Sequence, residues 1–293
     1  MDSSVLLQKV KQIEIKTRRL SQQLFSGEYH SAFKGKGVLF DRVREYEPGD
    51  EVRFMDWKVS AKLGRPYVKV FAEERELNLM LLVDVSASSD FGTLSRLKRD
   101  MITELSAVLA FSASSNKDNT GIIFYSDQIE KFIPPKKGKS HTLRLIREMV
   151  DLEPKSKKTN LQIALQFLNK VVKKRCVVFI ISDFMDESLK QDLKIYAKKY
   201  DLIGLQIYDI RESEMPDLGL IHFKDTETGS MRLIDTSQLK VREDYHLNWV
   251  ENEKKLKQIF LSAGADLLRI RTDESYIIPL LKFMKLRNRG NKR

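Results

Sequence analysis

The chain has 293 residues, 42% of them hydrophobic, enough to bury a substantial core in one large domain or one domain with an extension. Its single cysteine excludes an intrachain disulfide framework. No window approaches the roughly 18 consecutive apolar residues of a membrane span, and MDSSVLLQKVKQIEIK lacks a signal-peptide core, so a cytoplasmic protein is expected. The formal net charge of +11 admits nucleic acid, an anionic membrane surface or an acidic protein as partner. With 41 acidic residues interspersed, a solvated lysine-rich surface accounts for most of it, and only 282–293 is basic without any acid.

Residues 4–25 place Leu6, Val10, Ile13, Thr17, Leu20 and Leu24 at three- and four-residue steps, the pattern of an amphipathic helix. A Gly/Ser-containing loop is expected over 27–37. Pro48-Gly49-Asp50 signals a turn, and Tyr67 to Phe71 alternates as a strand does. From Leu79 onward strands and helices alternate. Strands are expected at 79–84, 121–125, 128–133, 176–182, 201–208 and 265–270. Helices are expected near 95–115, with Leu97, Met101, Leu105 and Val108 on the apolar side, and at 140–150, 160–173, 187–199, 241–262 and 274–287. Pro134, Pro135 and Gly138 break the pattern, and 217–238 reads as a hairpin. The order predicts an α/β fold, a mostly parallel sheet covered on both faces by helices, with one antiparallel edge. Residues 1–75 form an N-terminal extension and 76–293 the main domain.

Chemistry concentrates at LNLMLLVDVSASSDFG, residues 77–92. The apolar run Leu79 to Val83 reads as a strand buried on both faces. Asp84, Ser86 and Ser88 then fall on the loop at its C-terminal end, where open α/β sheets bind ligands. One carboxylate and two hydroxyls make an all-oxygen set of the kind hard cations prefer, although Asp and Ser after a strand also serve as turn and cap residues. Asp183 ends another apolar strand in the same way. Thr159 precedes the helix at 160–173, either capping it or offering its hydroxyl to a cation.

Other chemistries find no match. In KKGKS, 136–140, the first glycine of a phosphate loop would fall at Ile133. There is no G-x-S-x-G elbow, and His30, His141, His222 and His246 stand far apart. A phosphoryl-accepting aspartate at 84 would want a second Asp where Ser86 stands. Cys176 lies inside an apolar strand and reads as a small core residue.

Asp84-x-Ser86-x-Ser88, Thr159 and Asp183, in that order and in those loops, resemble the metal-ion-dependent adhesion site of von Willebrand factor A domains. The run R-E-Y-x-P-G-D-x-V-R-x-x-D-W-x-x-S-A, matched from Arg44 to Ala61, resembles the signature of the bacterial domain-of-unknown-function family 58. One departure is Ser89, where that family usually has methionine.

The resemblance implies a doubly wound sheet of strand order 3-2-1-4-5-6, with the strands ending at Asp84 and Asp183 adjacent at the switch point. It implies Mg²⁺ (or Mn²⁺) held by Ser86, Ser88 and sometimes Thr159 directly and by Asp84 and Asp183, often through water, with a position left for a partner's acidic residue. The partner class it implies is a MoxR-type AAA+ ATPase, or a client protein presenting an acidic residue, in chaperone-like remodelling. A non-enzymatic binding module follows. The alternatives are a Mg²⁺-dependent hydrolase and a nucleic-acid-binding protein using the positive charge. Arg44, Asp50, Arg53, Asp56 and Trp57 read as an internal ion-pair lattice in preference to a docking face, because a tryptophan favours burial.

Overall fold

The computed structural model describes residues 8, 10–17, 38–73, 77–93, 96–185, 193–224 and 229–290. The chain divides into two compact units, 33–77 on the one hand and 1–32 with 78–293 on the other.

In the small unit, β1 (Val38–Glu45) pairs antiparallel with β2 (Tyr67–Glu73), with a bulge between Phe40 and Arg42. A short helix, α2 (Trp57–Leu63), lies between them in sequence. Asp56 caps it by accepting from the Lys58 and Val59 amides, each at 3.1 Å. Gly64, at φ 70°, ends it in the left-handed region. Arg44 pairs with Asp50 at 2.7 Å, and Asp50 also accepts from the Glu47 amide at 2.9 Å. The expected lattice is therefore present only in part. Arg53 pairs with Glu51, and Trp57 is 66% exposed. The expectation of burial fails because α2 is one short helix with no buried residue, too small to enclose an indole.

The large unit holds a six-stranded sheet of order β10-β7-β6-β3-β4-β5. Its strands are β3 (Asn78–Asp84), β4 (Asn119–Tyr125), β5 (Ile129–Lys136), β6 (Val177–Ser182), β7 (Asp201–Tyr208) and β10 (Asp266–Arg271). Numbered within the sheet from β3, that is 3-2-1-4-5-6. All pairs are parallel except β4 with β5. The helices are α1 (10–17), α3 (Lys98–Ser115), α4 (Lys139–Asp151), α5 (Leu161–Val171), α6 (Leu193–Lys199), the single turn α7 (Ile210–Ser213), α8 (Leu239–Ala263) and α9 (Ile277–Gly290). A separate hairpin, β8 (Leu220–Lys224) with β9 (Met231–Asp235), stands where the sequence predicts one.

Burial explains the sequence pattern. Every side chain from Leu79 to Val83 and from Val177 to Ile181 is buried, as central parallel strands covered on both faces require. Cys176 is buried and its thiol is pushed up to about 12, chiefly by burial, in keeping with a core role. Helix α1 packs on its own unit: Val10 and Thr17 are buried, Lys16 reaches Glu104 of α3 at 2.8 Å, and Glu14 reaches Lys139 of α4 at 2.8 Å.

Two expectations are corrected here. Strand β5 runs through Pro134 and Pro135 to Lys136, with a register shift against β4 between Thr120 and Ile122. An edge strand with a bulge is where a sheet accepts proline. Leu97, placed on the apolar side of α3, is instead exposed, and its neighbour Lys98 is buried to 1%. Of the helix expected over 4–25, only the part noted above lies inside the described residues; the loop at 27–37 and residues 187–192 lie outside them.

Candidate metal centre

Asp84 is the last residue of β3 and Ser182 the last of β6, its parallel neighbour. Both carboxylate oxygens of Asp84 are engaged. Oδ1 accepts from the Ser86 amide at 2.9 Å and Oδ2 from Ser182 Oγ at 2.7 Å. Ser86 and Ser88 hydroxyls stand 3.1 Å apart, and Ser88 lies near enough to Asp183 to favour its charged form. Ser89, at the position that departs from the family pattern, donates to the Ser86 carbonyl at 2.8 Å and tightens the 3-10 turn over Ala87–Asp90. Asp183 follows β6 directly, and its Oδ1 accepts from the Met185 amide at 3.3 Å. Phe184 between them takes a positive φ of 56°, an uncommon conformation for an aromatic residue.

Three of the five predicted site residues, Asp84, Ser86 and Ser88, are thus joined by hydrogen bonds, and Asp183 lies beside them at the end of the adjacent strand. Thr159 lies on the loop ahead of α5. That loop is tied to the serine turn by the Ala87 amide, which donates to the Lys157 carbonyl at 3.1 Å. The cap of α5 is Asn160, accepting from the Ile163 amide at 3.4 Å, so Thr159 does not fill that role.

Two residues that sequence reasoning missed complete the cluster. Lys98 Nζ donates to Asp183 Oδ2 at 2.7 Å and to Glu212 Oε1 at 2.5 Å. Glu212 is fixed in turn, since its Oε2 accepts from the Asp209 amide at 2.8 Å in a capping box on α7. A signal for Lys98 existed: it lies three residues before Met101 and seven before Leu105, on the buried face of the helix. Glu212 carried none, because a one-turn helix has no periodicity to read.

The electrostatics follow from burial. Asp84 is pushed up to about 7 by its burial and by the charge of Asp183. Burial would also raise Asp183, but Lys98, Ser88 and the Met185 amide hold it below the ordinary carboxylate value. Glu212 is raised by burial and by Asp183, against the pull of Lys98. Burial would lower Lys98, and the two carboxylates raise it instead. With all three ionised, Asp84, Asp183 and Glu212 would exceed the one ammonium by two negative charges, and without a cation the raised Asp84, at about 7, is only partly ionised at neutral pH. A divalent cation would offset that excess, and a set of carboxylate and hydroxyl oxygens suits Mg²⁺ or Mn²⁺. The residues therefore fit the metal that the resemblance implies. Among the described residues no three His, Cys, Asp or Glu are grouped so that they could hold a metal ion by themselves, so a cation here would depend on the serine hydroxyls and on oxygens from outside the chain.

The sheet order and this cluster at its switch point define a von Willebrand factor A-like fold. The chain belongs to the family described as Protein of unknown function DUF58, which matches residues 42–255. The uncharacterized protein Rv1480 of Mycobacterium tuberculosis is 27% identical over 99% of this chain and 92% of its own length. The uncharacterized protein YeaD of Bacillus subtilis is 27% identical over 36% of this chain and 25% of its own. Among solved structures, an aerotolerance-related membrane protein from Bacteroides fragilis superposes with a TM-score of 0.51 at 12% identity, over 73% of this chain and 99% of that one. The proximal thread matrix protein 1 of mussel byssus, solved with a zinc-occupied MIDAS motif, gives a TM-score of 0.37 at 16% identity, over 45% of this chain and 38% of that one. No helix among the described residues is long and apolar enough to cross a membrane.

Proposed function

We propose that this protein is a non-enzymatic, cation-dependent protein-binding module that engages an acidic side chain of its partner at the Asp84 cluster. The observation that carries this reading is the buried excess of carboxylate over ammonium beside two hydroxyls, at the C-terminal ends of adjacent parallel strands. Asp84, Ser86, Ser88, Thr159 and Asp183 would hold Mg²⁺ or Mn²⁺. When bound, the cation would supply positive charge and an open position for an incoming carboxylate. The chain's own residues do the positioning. Ser182 and the Ser86 amide fix Asp84, while the Ser89 hydroxyl holds the turn that presents Ser86 and Ser88. The partner class implied by the family is a MoxR-type AAA+ ATPase, and a cytoplasmic setting goes with it.

The test is calorimetry with Mg²⁺ and Mn²⁺ on the wild type and Asp84→Ala, followed by binding of a purified MoxR-type ATPase with and without the cation. Wild-type cation binding that Asp84→Ala abolishes while its far-UV spectrum is unchanged supports the reading. A wild type that binds neither cation, alone or with the ATPase, defeats it.

A further inference from the structure

The buried ammonium at the edge of the cluster has no place in the five-residue cation site. Lys98 is 1% exposed. Its Nζ is shared between Asp183, a cation ligand in the reading above, and Glu212, which is not one. Each carboxylate has a backbone amide on one oxygen and the Lys98 ammonium on the other. Glu212 is anchored at its second oxygen by the Asp209 amide, and Asp209 is itself held by the Thr93 amide, the Thr93 and Thr272 hydroxyls and the Arg211 amide. Glu212 therefore has an anchor of its own that does not involve Asp183. Asp183 has the Met185 amide on one oxygen and Lys98 on the other. An ammonium donates and cannot accept, so at the Asp183 oxygen it occupies Lys98 competes with a cation for the negative charge and lone pairs of that carboxylate. In a buried setting that competition is only weakly screened.

We propose that Lys98 is an internal counter-ion that sets the cation affinity of this site: it occupies Asp183 when the divalent cation is absent and retreats onto Glu212 when the cation binds. This inference rests on the cation-dependent reading of the cluster. Lys98 and Glu212 are positioning residues in this scheme, acting through Asp183. The arrangement keeps Asp183 charged and oriented without metal. It also makes cation binding weaker than an unopposed pair of carboxylates would give, so that loading depends on the carboxylate a partner contributes.

The scheme makes a prediction that net charge alone does not. Lys98→Met removes one positive charge and Glu212→Gln one negative charge, so the double variant has the cluster charge of the wild type. Titration of the full-length chain with Mn²⁺, followed by calorimetry and by the loss of free-Mn²⁺ paramagnetic signal, reads affinity directly. Lys98→Met should bind at least about tenfold tighter than wild type, given the repulsion between neighbouring cations in a partly desolvated site. Glu212→Gln should bind more weakly, because the ammonium is left with Asp183 alone. The double variant should bind tighter than wild type despite its equal charge. It also removes the carboxylate that Lys98→Met leaves unpaired, so it tests the scheme even where the single variant fails to fold. A double variant equal to or weaker than a wild type that binds Mn²⁺ overturns the role of Lys98 and leaves the cation site standing. A wild type that does not bind alongside a double variant that does supports the role of Lys98. Absence of binding in every variant overturns both.

Discussion

Ser182 Oγ donates to Asp84 Oδ2 across 2.7 Å, linking the C-terminal ends of two neighbouring parallel strands. The same oxygen accepts from the Phe184 amide at 3.0 Å, so one hydroxyl both orients the Asp84 carboxylate and supports the turn that carries Asp183. Ser182→Ala should cost about 1–3 kcal/mol, since it strips a donor from a buried carboxylate and an acceptor from a buried amide. Urea unfolding gives that number. Mn²⁺ affinity should fall in the same variant through loss of orientation. A variant as stable as wild type would show that water substitutes for the hydroxyl.

Asp209 forms a second buried carboxylate knot, with no cation paired to it in the described structure. Burial would raise its pKa, but the Thr93 and Thr272 hydroxyls and the Thr93 and Arg211 amides hold it below the ordinary carboxylate value. With the folded value under the unfolded one, the stabilisation is fully present above the unfolded pKa of about 3.9. It is lost as pH falls through the folded value. Asp209→Asn should therefore be less stable than wild type at pH 7, by about 1–3 kcal/mol, because an amide presents donors to donors. The gap should narrow below about pH 4. Paired urea melts at pH 7 and pH 3 measure it, and a gap that stays constant would assign the cost to packing alone.

Gly121 sits where β4 meets the proline-containing bulge of β5. A Cβ there would fall 2.8 Å from Met80 Sδ, 2.8 Å from Pro135 N and 3.0 Å from the Ile133 carbonyl. The methionine can move, but the β5 backbone cannot move without losing the strand. Gly121→Ala should destabilise by about 1–3 kcal/mol through overpacking, visible as a lowered melting temperature. An unchanged melt would mean that the bulge yields at no cost.

The central strands were legible because Leu79 to Val83 and Val177 to Ile181 are apolar without alternation, which a sheet covered on both faces demands. The strand-helix order then led to a mostly parallel sheet with one antiparallel edge, and its 3-2-1-4-5-6 order was implied only by the resemblance to von Willebrand factor A domains. At the cluster, Asp84, Ser86, Ser88 and Asp183 were found because a strand end followed by small oxygen-bearing residues is a local pattern. Lys98 was missed because its meaning is tertiary. A lysine at a helix start reads as a solvated charge until Asp183 and Glu212 arrive from 85 and 114 residues away. The continuation of β5 through two prolines was hidden for a related reason. Proline is excluded from the interior of a sheet and accepted at its edge, and whether a strand lies at an edge is decided by the rest of the sheet.

Trp57 gives the remaining prediction. The chain has two tryptophans: Trp57 is 66% exposed in the small unit, while Trp249 is 8% exposed and packs on Tyr208 with ring centroids 5.4 Å apart. Collisional quenching by acrylamide should resolve one accessible and one shielded emitter. Trp57→Phe should remove the accessible component and shift stability by no more than about 0.5 kcal/mol, the usual range for a surface substitution. Quenching unaffected by Trp57→Phe, or a loss of several kcal/mol, would place the indole in a packed interface. Val52 and Leu63, exposed in the same unit, would then be the residues to substitute next, because an apolar surface that is covered in solution must have a covering partner.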